Sequence, residues 1–259
     1  MIPKLRLRPR IAFAVALSLT VAAASTACRA QGQPLGSYNA AIGESSISGI
    51  SSGAFMAVQF GFAWSSVIKG VGVVAGGPFY CAEASAADII NGYTLPIANA
   101  TGPCMVGPPP DLRPMVAKLE AKAAAGAIDP LENVKRQKIY LFHGYNDTVV
   151  ARSVTDAAAD FYRRQLGDAA RGNLFYQNTR GAGHSFVVRE QAGRELNVCA
   201  ANQSPFIDQC GYDQAGIILQ HILWRLASRH ARTTRRDDQE LRSKPLYRPP
   251  YRRCAEHGR

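Results

Sequence analysis

Three side chains in this sequence could together form a serine nucleophile with its base and its acid. Ser51 stands in the pentapeptide Gly49–Gly53, which reads G-I-S-S-G, and a G-x-S-x-G pattern is typical of a serine at a tight strand-to-helix turn. A serine hydroxyl is a weak nucleophile, so it needs a base and an acid that orients the base. Asp147 and His184 follow in that chain order, each in a loop with glycine. The pattern predicts Ser51 as nucleophile, Asp147 as acid and His184 as base.

Each of these residues also has a purely structural interpretation. The pentapeptide could be an incidental turn in a chain with 23 glycines, and Asp147 could serve turn geometry beside Asn146. Two other histidines compete less well as the base, because His143 precedes the acid and His221 lies within a predicted helix. No metal site is expected, since no second histidine or carboxylate stands at ligand spacing from His184. The order of the three residues therefore favours acyl transfer.

The elements that must position these residues alternate between strands and helices. Short β-branched runs predict strands at 45–50, 70–75, 138–143 and 173–177. Longer runs predict helices at 53–68, 115–125, 153–166 and 214–229, the third capped by Ser153. This alternation is typical of an α/β fold with a mostly parallel sheet and helices on both faces. Reactive groups in such folds lie in loops at the carboxyl ends of the strands.

The charge of the chain is concentrated at its two ends. The net charge is +11, but residues 1–30 carry five basic and no acidic groups, and residues 228–259 carry ten basic and four acidic groups. Residues 31–227 therefore have no net charge. Because a groove that binds phosphates needs clustered Lys and Arg on the folded part, the charge does not indicate a nucleic-acid partner.

The first thirty residues have the order of a signal peptide. A basic segment is followed by an apolar run over 11–24 and by small residues up to Ala30, where we expect cleavage. Fourteen apolar residues are too few for stable membrane insertion, so a secreted protein is predicted. A lipid-modified Cys28 is the less favoured alternative. Residues 31–228 are then one catalytic domain, and the proline-containing, basic segment 229–259 is a solvated tail.

Export would place the remaining cysteines in an oxidising compartment. Five cysteines remain after Cys28 is removed, and they include no C-x-x-C pair that would suggest zinc. Two disulfides and one odd thiol allow fifteen pairings. Short loops rich in glycine and proline favour Cys81–Cys104 and Cys199–Cys210, with Cys254 left over in the tail.

The sequence resembles the extracellular poly(3-hydroxybutyrate) depolymerases, which are serine esterases of the α/β-hydrolase fold. The resemblance rests on four blocks that span Ile47–Ala82, Ile139–Val150, Gly181–Phe186 and Cys210–Ile222. It implies the same roles for Ser51, Asp147 and His184, a polyester or oligomeric ester substrate, and no cofactor. The sequence does not indicate the oligomeric state.

The oxyanion hole is expected to have two backbone donors. The free N–H of Ser52 at a helix N-terminus favours the negative charge of a tetrahedral intermediate. Few residues precede Ser51, so the usual loop that supplies the second donor is missing. The resemblance implies a circularly permuted sheet in which a cysteine amide from the C-terminal part, here Cys210, is that donor.

Candidate apolar substrate contacts are Phe55, Phe79, Tyr80 and Phe186, although core packing is an alternative role for each. Two other functions stay open from the sequence. A secreted esterase for feruloyl or acetyl-xylan linkages would use the same triad, and a secreted binding protein could keep the fold without catalysis.

Overall fold

Four parallel strands form the central sheet, in a computed structural model that describes residues 40–84, 95–189 and 196–223. In spatial order they are β1 (Ser45–Ile50), β2 (Ile68–Val74), β3 (Lys138–Phe142) and β4 (Leu174–Gln177). Each strand pairs with the next one along the chain, and every pair is parallel. The carboxyl ends of all four strands therefore lie at the same end of the sheet.

Three very short strands form a second sheet that follows β4 in the chain. They are β5 (Phe186–Val188), β6 (Asn197–Val198) and β7 (Ile207–Gln209), and β7 lies between the other two. Both pairs are again parallel. This sheet is not among the predicted elements, because two or three residues are too few to show the alternation by which a strand is recognised.

Helices connect and cover the strands. In the described residues they are α1 (Ser52–Ala63), α2 (Cys81–Ala84), α3 (Leu95–Thr101), α4 (Leu112–Ala124), α5 (Arg152–Leu166), α6 (Ala170–Asn173) and α7 (Gln214–Leu223). Short 3-10 turns lie at Ile42–Glu44, Leu131–Arg136 and Gly167–Ala169.

The four predicted strands of the central sheet are confirmed within two residues, and β1 has the predicted bounds. The helix predicted over 53–68 is shorter, since it ends at Ala63 and Ile68 already begins β2. Ser153 is not the cap of α5. Ala151 holds that position without a side-chain bond, and the Ser153 hydroxyl instead donates to the Gly107 carbonyl at 3.0 Å.

The two faces of the central sheet pack against different helices. On one face, Leu141 of β3 belongs to a core that includes Phe62 of α1 and Phe161 of α5. The neighbouring residue Phe142 points to the other face, where it shares a core with Ile218 of α7. Helices therefore cover both faces, as predicted.

The circularly permuted strand order stays a prediction. Within the described residues, β1 is an edge strand, and no later strand pairs with its free side.

The predicted signal peptide at 1–30 and tail at 229–259, with Cys28 and Cys254, lie outside the described residues. None of the described helices has the length and apolar character needed to span a membrane.

We expect Phe62→Ala to lower the free energy of unfolding by about 3–5 kcal/mol, because a large buried ring is replaced by a cavity. Phe62 is fully buried and contacts the rings of Phe79, Phe161 and Tyr162, with centroids 5.2 to 5.5 Å away. Phe60 on the same helix is 40% exposed, so Phe60→Ala is the matched control, with a loss of about 1 kcal/mol or less. Urea unfolding of the two variants measures the difference, and equal losses would contradict this description of the core.

Candidate active site

Ser51 occupies the turn between β1 and α1 in a backbone conformation that is rare for any residue except glycine. Its φ is 55° and its ψ is −125°, a geometry that costs on the order of 1–3 kcal/mol. The turn is held in place because the Ser51 N–H donates to the Val74 carbonyl and its carbonyl accepts from Ala54 and Phe55. The tight serine turn expected from the motif is thus present.

The two motif glycines are not equivalent. A Cβ atom on Gly49 would overlap the backbone of Gly53 and lie 2.9 Å from the Ala54 nitrogen. A Cβ atom on Gly53 would meet nothing within 4 Å. The close approach of strand and helix therefore requires glycine at position 49, because any side chain there would overlap the Gly53 backbone, whereas position 53 has room for a side chain.

Asp147 and His184 form a buried hydrogen-bonded pair. His184 Nδ1 lies 2.9 Å from Asp147 Oδ2, and the side chains are 5% and 0% exposed. The other carboxylate oxygen accepts from the N–H groups of Val149 and Val150 at 2.8 and 2.9 Å. When the Nδ1–H donates to a carboxylate, the Nε2 of a neutral imidazole keeps its lone pair. With its Nδ1–H directed at Asp147, the imidazole can accept a proton at Nε2.

Ser51, Asp147 and His184 all follow the carboxyl ends of strands of the central sheet, after β1, β3 and β4. The structure joins the histidine to the aspartate. In the described residues, the Ser51 hydroxyl makes no hydrogen bond to His184. Nucleophile-to-base hydrogen bonds are often long without substrate and shorten when it binds.

The competing histidines both contact backbone carbonyls. Buried His143 donates from Nε2 to the Val150 carbonyl at 2.9 Å, while the same nitrogen is 3.8 Å from Asp147 Oδ2, too far for a hydrogen bond. His221 lies 3.0 Å from the Asn173 carbonyl at the amino end of β4, and burial lowers its pKa. Among the described residues, no three His, Cys, Asp or Glu side chains are grouped as a metal site would require.

A cavity of about 510 Å³ opens beside Ser51. Of the four aromatic residues predicted to contact substrate, Phe55 and Tyr80 line it. Phe79 does not, because it is 2% exposed and packs on Phe62 in the core. Phe186 also does not line it, and it packs in the core on the α7 side of the sheet.

Several other residues of the cavity wall are not predicted from the sequence, among them Met56, Gln59, Met105 and Val150. Met56 and Gln59 could have been found, because residues three to four apart from Ser52 and Phe55 share one face of a helix. Met105 and Val150 come from distant parts of the chain, so no spacing connects them to Ser51.

Both favoured disulfides are formed. Cys81–Cys104 contributes to the cavity wall, and Cys199–Cys210 closes a segment that follows His184 in the chain.

Ser52 is the first residue of α1 and is exposed, so its N–H has no carbonyl partner within the helix. The amide of Cys210 differs, because it donates to the Val188 carbonyl at 3.0 Å. The structure thus corrects the expectation for Cys210, whose N–H is used to pair β7 with β5 rather than left free for an oxyanion.

The parallel sheet, the strained serine after β1 and the orienting His–Asp pair define an α/β-hydrolase fold. No protein-family model matches the chain. Two curated relatives do: a poly(3-hydroxybutyrate) depolymerase of Delftia acidovorans, 38% identical over 73% of this chain, and a polyhydroxybutyrate depolymerase of Talaromyces funiculosus, 33% identical over 86%. The chain spans 35% of the first relative and 58% of the second.

Solved structures give the same result. The PHB depolymerase from Penicillium funiculosum aligns with a TM-score of 0.58 and 34% identity, covering 73% of this chain and 54% of that one. A PHB depolymerase with one serine replaced by alanine, complexed with an R3HB trimer, aligns with a TM-score of 0.62 and 33% identity, covering 78% and 57%. The resemblance to poly(3-hydroxybutyrate) depolymerases expected from the sequence is confirmed.

We expect Gly49→Ala to destabilise the fold by about 1–3 kcal/mol, because the new methyl group overlaps the α1 backbone. The same displacement should lower the rate of p-nitrophenyl ester hydrolysis by roughly 10² fold, since it moves Ser51. Gly53→Ala is the matched control, with unchanged rate and stability. Wild-type kinetics in Gly49→Ala would show that the turn has more room than the structure gives it.

Proposed function

We propose that this chain is a secreted serine esterase that hydrolyses ester bonds of poly(3-hydroxybutyrate) or its oligomers. The observation that carries the proposal is the strained Ser51 turn beside an apolar cavity, at the same end of the sheet as the buried His184–Asp147 pair. The similarity to PHB depolymerases supports the choice of substrate. The two disulfides and the signal-peptide pattern of residues 1–30 support secretion.

The reaction would proceed through an acyl-enzyme. His184 Nε2 takes the Ser51 proton as the Ser51 oxygen attacks the ester carbonyl, and the Asp147 carboxylate stabilises the imidazolium that forms. The Ser52 N–H and the N-terminal end of α1 stabilise the negative oxygen of the tetrahedral intermediate. The proton then passes to the departing alcohol oxygen, which leaves Ser51 acylated.

Water completes the cycle by the same route in reverse. The water oxygen attacks the acyl carbon while His184 Nε2 accepts a proton from the water. His184 then returns that proton to the Ser51 oxygen as the bond between Ser51 and the acyl carbon breaks. A hydroxyacid is released, and the enzyme regains its starting protonation. In this scheme the chain's own side chains and backbone donors carry every step.

The cavity favours an uncharged aliphatic acyl chain. Its wall includes the rings of Phe55 and Tyr80, the thioethers of Met56 and Met105, and the Cys81–Cys104 disulfide. Apolar walls with a few polar groups bind apolar ligands and fix their orientation. The Gln59 amide is one such group, although its oxygen already accepts from the Tyr80 N–H at 3.2 Å.

We expect Ser51→Ala to remove hydrolysis of 3-hydroxybutyrate oligomers and leave folding intact, because alanine fits wherever serine does. Loss of the nucleophile should lower kcat by roughly 10⁴ to 10⁶ fold. Ser66→Ala, an exposed serine in the turn between α1 and β2, is the control and should behave as wild type. Product release is measured by chromatography, and wild-type turnover by Ser51→Ala would exclude Ser51 as the nucleophile.

The same preparation tests the substrate class. Parallel assays on 3-hydroxybutyrate oligomers and on a feruloylated sugar should give turnover on the oligomers only. Preference for the feruloyl ester would assign the chain to plant-ester hydrolysis, and no turnover of any ester would assign it to non-catalytic binding.

We further expect the losses of the triad variants to be strongly non-additive, because the three residues act as one unit. His184→Ala alone should reduce kcat about as much as Ser51→Ala, and combining the two should add little. Asp147→Asn should cost less than either. The kcat values are measured on a soluble p-nitrophenyl ester. If the fold-loss in kcat of the double variant equals the product of the two single losses, His184 does not act through Ser51.

A further inference from the structure

Asn202 lies between the loops that carry the proposed acid and base. Its Oδ1 accepts from the His184 N–H at 2.8 Å and from the Thr148 N–H at 3.0 Å. Its Nδ2 donates to the Asn146 carbonyl at 3.0 Å and to the Ala200 carbonyl at 3.2 Å. Three of its four bonds therefore go to the backbone of the two loops, next to Asp147 or at His184 itself.

The chemistry of these partners requires a carboxamide. A side-chain amide offers two N–H donors and an oxygen that can accept twice, and Asn202 uses all four capacities. A carboxylate of the same shape could accept the two N–H bonds, but it would turn an oxygen toward the two carbonyls. Asparagine therefore satisfies this site where aspartate does not.

The other backbone links between the two loops lie before the reacting residues. Tyr145 N–H donates to the Arg180 carbonyl, and Asn146 N–H donates to the Ala182 carbonyl, at 2.9 and 3.1 Å. Asn202 instead reaches the backbone of Thr148, after Asp147, and of His184 itself. Its bonds therefore join the two loops at the residues beside and within the 2.9 Å contact between Asp147 and His184.

The segment that carries Asn202 is itself anchored. Cys199 is held by its disulfide to Cys210, and its carbonyl accepts from the Gly183 N–H at 2.8 Å. Gly183 lies so close to the Ala201 backbone that a Cβ atom would overlap it. Residues 199–202 therefore form a rigid support beneath the His184 loop.

We propose that Asn202 is a positioning residue of the esterase, holding Asp147 and His184 at hydrogen-bond distance without touching substrate. This inference rests on the proposed function for the role of the pair. Asn202 does not line the cavity beside Ser51, so its loss should affect the chemical step and spare substrate binding.

Asn202→Ala should lower kcat by roughly 10² fold, the scale expected when catalytic groups are displaced by about 1 Å, with KM within about twofold of wild type. Asn202→Asp keeps the bonds to the two N–H groups and should lose less. Asn173→Ala is the matched control, because Asn173 is also a half-buried asparagine bonded to a backbone carbonyl, Lys135, but at the opposite end of the sheet.

A second measurement does not depend on turnover. The proton on His184 Nδ1 should give a far-downfield NMR signal, assigned by its absence in His184→Ala. It should persist in Asn173→Ala and Ser51→Ala, weaken in Asn202→Asp and vanish in Asn202→Ala. If Asn202→Ala does not fold, the proposal is tested by Asn202→Asp alone, which should show a weakened NMR signal and a lowered kcat.

The outcomes separate the two proposals. An unchanged signal and kcat in folded Asn202 variants, or a rise in KM alone, would overturn the positioning role. If Ser51→Ala is as active as wild type while the signal still depends on Asn202, the proposed function fails and the structural link stands.

Discussion

A carboxylate buried away from water must be surrounded by donors, and this requirement organises the carboxyl end of the sheet. The side chain of Asp147 is fully buried, which would be very unfavourable for an unpaired charge. Two backbone N–H groups of its own loop and one imidazole N–H satisfy it. The imidazole comes from the loop after β4, so the loops that follow two neighbouring strands must converge. The support built by residues 199–202 stabilises that convergence.

The sequence predicts the central sheet because the four strands are buried and rich in apolar and β-branched residues. It also predicts Ser51, Asp147 and His184, because glycine-flanked reactive residues after strands form a recognisable order. The two disulfides could be favoured for a similar reason, since each closes a short loop. What these predictions share is that the signal lies within a few neighbouring residues or in the order of residues along the chain.

The remaining features depend on backbone positions that residue types do not encode. Asn202 bonds only to backbone groups, so nothing in its neighbours' identities indicates a role. Phe79 and Tyr80 are adjacent and both aromatic, yet the first packs in the core and the second lines the cavity. The sequence does not show that β5 pairs with β7, and this pairing uses the Cys210 N–H, so the sequence alone does not exclude that amide as an oxyanion donor. In each case the direction of a group, rather than its chemistry, decides its role.

The Cys81–Cys104 disulfide links two residues of the cavity wall, so the shape of the cavity depends on whether these cysteines were oxidised when the molecule folded. The bond persists where thiols are kept oxidised. Two populations of the same chain, one folded in an oxidising and one in a reducing compartment, would carry Ser51, the proposed nucleophile, beside differently constrained walls. The acyl-chain selectivity of the proposed esterase would then depend partly on the compartment in which each molecule folded, so preparations from different hosts should be compared only after their thiols have been counted.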